Sequence, residues 1–159
     1  MNIRQAKKYG EVIVAKPVLL LAIIDGIERQ VFTNNVIQLN DWLEARYGVL
    51  MRQHTRNSMF DGFSPINNPF WHLESDGFWH LHYPGIELSK TSTPSTKWLK
   101  ENVRYASLDD DLWILLQNEA MRQRLRDYIV EHKLDDDNHG LLKAAEGMSV
   151  LAGLLLAVA

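Results

Sequence analysis

The sequence predicts a mainly helical α+β fold with one β-hairpin, a winged-helix-like arrangement in which a helical core bears a wing. Three observations lead there. Apolar residues recur at helical spacing in separated segments of the chain. The stretch FWHLESDGFWHLHY, residues 70–83, repeats an aromatic-Trp-His-Leu unit around Ser-Asp-Gly, as two strands would about a turn. The segments between are rich in Asn, Ser, Gly and Pro, which interrupt regular structure. With 159 residues and 46% hydrophobic content, one core is affordable and two are not, so a single domain over 1–159 is expected.

The first element is KPVLLLAIIDGIERQ, residues 16–30, where Leu19, Leu20, Ile23, Ile24 and Ile27 make one broad apolar stripe. Pro17 suits the first turn, Asp25 and Glu28 fall on the more polar side, and Gly26 weakens the helix. After a connector with Asn34 and Asn35, LNDWLEARYGVLMRQ predicts a second helix with Asn40 as its cap. Its apolar set is Leu39, Trp42, Leu43, Tyr47 and Leu50. Residues 54–69 read as a loop.

The register of the hairpin follows from segregating its faces. A three-residue turn Ser75-Asp76-Gly77, with Gly77 left-handed, pairs Leu73 with Trp79 and Trp71 with Leu81. One face is then apolar, and the other carries Phe70, His72, Glu74, Phe78, His80 and His82, with His72 across from His80. The loop of residues 84–94 follows, and Ser95 caps a helix running through STKWLKENVRY. Ser107 with acids 109–111 starts the next helix, which has a break near Gln117-Asn118. DDDNHG, residues 135–140, precedes an apolar C-terminal helix over 141–159, whose apolar run of about twelve residues is too short for the roughly 20 that span a bilayer.

Composition limits the chemistry. There is no cysteine, which removes disulfides, thiolate metal sites and a cysteine nucleophile. The N-terminal stretch lacks an apolar signal region, so a cytoplasmic protein without a membrane role is expected. The net charge of -3 is unevenly spread: residues 1–105 hold 12 Lys and Arg against 10 Asp and Glu, and residues 106–159 hold 5 against 10. A polyanion would therefore meet the N-terminal two thirds.

No phosphate-binding glycine loop, nucleophile elbow or zinc-protease motif is present, and no catalytic residues or cofactor are expected. His72, His80 and His82 on one hairpin face form a weak alternative as metal ligands, against a solvated strand surface. Asn138-His139 lacks the paired upstream histidines of an HNH nuclease centre. Arg52, His54 and Arg56, with Lys16 upstream, supply cations close to aromatics, a composition suited to nucleic acid.

Taken in order, KPVLLLAIIDGIE, NPFWHLESDGFWHL and SLDDDLWILLQNEAMRQRLRDYIVEH resemble the sulfur-binding domain of phosphorothioation-dependent McrA-type HNH restriction endonucleases. The likeness covers residues 16–140, and its middle block is the most specific. It implies a reader of duplex DNA in which sulfur replaces a backbone phosphate oxygen. Such a site needs cations for phosphate and an apolar pocket for the softer sulfur. Lys16, Arg52, His54, Arg56 and His72 are then the expected DNA contacts. Leu134-Asp135 stands where the family has an aromatic-Pro pair, and His72 where relatives often carry Arg.

The resulting expectation is a DNA-binding module of a restriction or modification-sensing system, its partners duplex DNA, phosphorothioated or plain, and a nuclease chain or a second copy. The alternative is a protein-interaction or assembly subunit that docks through the C-terminal helix.

Overall fold

The computed structural model describes residues 7–8, 11–12, 14–55, 64–85 and 92–134, the first two pairs by backbone alone. Residues Lys7–Lys8 (β1) and Glu11–Val12 (β2) pair antiparallel. They lead into α1, Ala15–Glu28, which occupies the centre of the molecule. Every residue from Val18 to Ile27 is buried, so the helix is enclosed all round. That corrects the expectation of one stripe with a polar side: Asp25 is itself buried, and tolerable there because two arginines reach it.

Arg46 places Nε and a terminal nitrogen 2.7 Å from Asp25 Oδ2, and Arg126 donates to Asp25 Oδ1 and Glu28 Oε2, each at 3.0 Å. One carboxylate thus joins three helices: α1, α2 (Asp41–His54) and α6 (Glu119–Ile129). At the C-terminal end of α1, Gly26 lets Phe32 pack directly on the backbone. A Cβ at Gly26 would lie 2.6 Å from two Phe32 ring carbons and 3.0 Å from Trp42 Cζ3. The chain leaves α1 through Gln30 at φ 59, with Gln30 and Val31 N–H groups closing back on Ile27 and Gly26 carbonyls.

Helix α2 starts as expected, its Asn40 side chain accepting from Leu43 N–H at 2.8 Å. The largest difference comes next. Residues 70–83 are not a hairpin: Asn67–His72 is a helix (α3), Leu73–Asp76 continues as a 3₁₀ turn, and only Trp79–His82 is a strand (β3). The helical path buries Phe70, Trp71 and Leu73 together, which an alternating strand would split between faces. Phe78, assigned to the outer hairpin face, is buried as well. Gly77 does take the left-handed conformation, at φ 93, where it turns the chain from the 3₁₀ segment into β3.

The partner of β3 is Tyr105–Leu108 (β4), reached after α4, Thr96–Asn102, which Ser95 caps. The pairing is antiparallel, from Trp79 opposite Leu108 to His82 opposite Tyr105. Ser107 is therefore strand rather than helix start, and α5, Asp110–Leu115, begins after Asp109. On the far side of β4, Ile37 exchanges two 2.7 Å hydrogen bonds with Ala106. The Asn35 side chain extends this edge, donating to Leu108 O and accepting from Leu108 N–H. The free edge of β3 is covered by Glu74, whose carboxylate accepts from Leu81 N–H at 2.8 Å.

The chain breaks at Asn118, which caps α6, and α6 passes into a π-helical turn over Val130–Leu134. The fold is mainly helical with antiparallel strand pairing, the α+β class the sequence predicts, and neither pair is the expected 70–83 hairpin. Arg56, Asp135, the 135–140 break and the 141–159 helix lie outside the described residues.

Candidate nucleic-acid interface

The predicted contact residues divide among different elements. Lys16, in the first turn of α1, is bound to Asp76 at the end of the 3₁₀ turn, Nζ to Oδ2 at 3.1 Å, with the Asp76 side chain wholly enclosed and Lys16 17% exposed. Two of the sequence blocks thus meet in one ion pair. Lys133, on the π-helical turn, is also within electrostatic reach of Asp76. Burial lowers its pKa, and the Asp76 carboxylate opposes that shift.

Arg52 and His54 lie in the last turn of α2, where their charge also complements the helix dipole. Arg52 is exposed, and its guanidinium lies back over Gly48, 3.6 Å from where a Cβ would stand.

His72 ends α3, half-buried, and its Nε2 shares a 2.6 Å hydrogen bond with Thr93 Oγ1. Asn67 at the start of α3 donates to Pro94 O at 2.9 Å, so both ends of α3 fasten the loop before α4. His72 therefore is not across a hairpin from His80. His80 pairs with Asp109, and His82 bonds Ser107 Oγ at 2.8 Å while stacking on Tyr105 at 4.2 Å. The metal triad His72, His80 and His82 falls with the hairpin that would have built it. Among the described residues no group of three or more His, Asp or Glu side chains is placed to hold a metal.

Beside His72 lies an aromatic cluster the sequence did not announce. Trp71, Tyr83 and Trp98 contact one another with centroids 5.7, 6.2 and 6.3 Å apart. Trp71 is fully buried, whereas Tyr83 and Trp98 keep part of their surface in solvent. The three come from α3, the end of β3 and α4, and only the β3–β4 crossover brings them together. No periodicity within a single segment could have signalled it. Chemically, this end of the molecule combines apolar ring surface, a histidine and a hydroxyl, which suits a polyanion carrying a less solvated atom.

No helix among the described residues is long and apolar enough to cross a membrane. No curated protein matches the chain. Among solved structures it is similar to the sulfur-binding domain of ScoMcrA complexed with phosphorothioated DNA, at 21% identity and TM-score 0.64, covering 97% of this chain and 94% of that one. That likeness establishes the shared fold. The family model described as ScoMcrA-like, DNA sulfur-binding domain matches residues 2–148. By that match, which takes in all the elements from α1 to the π-helical turn, the chain belongs to the ScoMcrA-like DNA sulfur-binding domain family.

Proposed function

We propose that the protein binds duplex DNA and reads a phosphorothioate in its backbone, as a recognition module of a restriction or modification-sensing system. The family match over residues 2–148 carries this reading. The structural neighbour bound to phosphorothioated DNA supports it at the level of the ligand. In this reading Arg52, Arg56 and His54 meet backbone phosphates, and His72 donates from the end of α3. Lys16 contributes least of these, since its ammonium is held and its charge matched by Asp76. Cleavage, where it occurs, comes from a nuclease domain or partner chain. The assembly reading rests on residues 141–159, outside the described residues, and nothing among the described ones favours it.

The test is a mobility-shift titration at about 50 mM salt with two duplexes of one sequence, phosphorothioated and plain. A shift at micromolar protein that is tighter for the phosphorothioated duplex is expected. Equal affinity for both would leave a DNA binder without sulfur recognition, and no shift with either would remove the DNA reading.

A further inference from the structure

Most cations among the described residues are already matched. Lys100 is bound to Asp41 and Glu44, Lys97 lies near Glu101, and Arg46, Arg126 and Lys16 are held by buried acids. Arg29, Arg52, Arg104 and Arg124 are exposed, and among the described residues their side chains have no hydrogen bond or ion pair. Of these four, Arg104 alone sits at a strand end. Its backbone N–H donates to His82 O at 2.8 Å, on the peptide that leads into Tyr83. Arg104 therefore lies at the end of the strand pair from which the chain runs on to Tyr83, whose ring contacts Trp71 and Trp98.

The opposite end of β4 has the reverse character. Asp109, Asp110 and Asp111 are all exposed, and Asp109 takes up His80. At about 3.3 Å per strand residue, Arg104 and Asp109 are about 17 Å apart. That exceeds the Debye length of about 8 Å at physiological salt, so each end presents its own sign to an approaching ligand.

We propose that Arg104 is a DNA-backbone anchor. Its guanidinium takes a phosphate of the duplex beside the Tyr83 and Trp98 rings, and the acidic end of β4 points away from the DNA. An arginine fits this role because its planar fork matches two phosphate oxygens at once. Being unpaired, it need break no internal ion pair to bind. The inference rests on the DNA reading above and adds a contact outside Lys16, Arg52, His54, Arg56 and His72.

The experiment measures affinity for plain and phosphorothioated duplexes between about 50 and about 200 mM salt, for the wild-type chain, Arg104→Gln, Arg104→Lys and Asp110→Asn. Loss of one phosphate contact should reduce the slope of log K against log salt by about 0.9 in Arg104→Gln. Both duplexes should weaken by the same factor, leaving their ratio unchanged. Arg104→Lys should keep the wild-type slope, and so should Asp110→Asn, although Asp110→Asn changes net charge by the same amount as Arg104→Gln and in the opposite sense. If Arg104→Gln keeps the wild-type slope while the wild type binds, the anchor is overturned and the DNA reading stands. If the wild type binds neither duplex, the DNA reading fails and takes the anchor with it.

Discussion

Gln30 holds a backbone conformation that costs an ordinary side chain about 1 kcal/mol or more, because its Cβ crowds the following carbonyl at φ 59. It does so to close the end of α1, a place where glycine is the usual solution. Gln30→Gly should therefore stabilise the protein by about 1 kcal/mol, read as a raised urea midpoint with unchanged m value. Tyr47 illustrates a different strain. Its hydroxyl donates to Ser64 O at 2.6 Å in a buried setting, and burial pushes its pKa far above the ordinary phenol value, with the Ser64 side chain pulling the other way. A raised folded pKa means the associated stability is complete below about pH 10, the unfolded value, and is lost as pH rises beyond it. Tyr128, also raised by burial, adds in the same sense, while the lowered Lys133 acts in the opposite one. Tyr47→Phe should flatten the alkaline decline of the urea midpoint between about pH 9 and about pH 11. An unchanged profile would show that Tyr47 is not the titrating group.

At the scale of elements, legibility followed locality. Helices whose apolar spacing and caps lie within one segment were readable: α1, α2 with Asn40, α4 with Ser95 and the break at Asn118. The 70–83 stretch was misread because Trp-His-Leu satisfies both a period of two and a short helical turn, and the choice depends on where the strand partner lies. That partner is β4, separated by α4 and visible only in three dimensions. Gly26 shows a subtler limit: its cost to the helix was evident, while its reason, the Phe32 ring against the backbone, was not. Asp25 was assigned to a polar face for the same cause, since Arg46 and Arg126 are supplied from elsewhere in the chain. Asp25→Ala should remove the common partner of three helices and leave two arginines short of a counter-charge, costing about 3 kcal/mol. For a chain of this size that is a fall in melting temperature of about 6 to 12 °C, measurable by calorimetry.

At the scale of the whole molecule, the change in charge along the sequence is visible at β4. The crude division at residue 105 coincides with β4, whose two ends carry Arg104 and the Asp109–Asp111 run. The family likeness was legible because its motif residues lie in compact blocks, and those blocks prove to be core: Trp71, Trp79, Phe70 and the α1 leucines are all enclosed. The candidate contact surface was less legible because it is assembled from single residues of α3, β3, α4 and β4. His72 is a candidate from its motif position, whereas Tyr83 and Trp98 become candidates only once the fold brings them together.

The Asp25–Arg126 ion pair also has a consequence in time. Its partners are 101 residues apart, so on a ribosome adding about 5–20 residues per second, α1 is made at least about 5 s before its last counter-charge exists. During that interval the carboxylate of this apolar helix has Arg46 as its one arginine partner. The interior around α1 is complete only once α6 has arrived with Arg126.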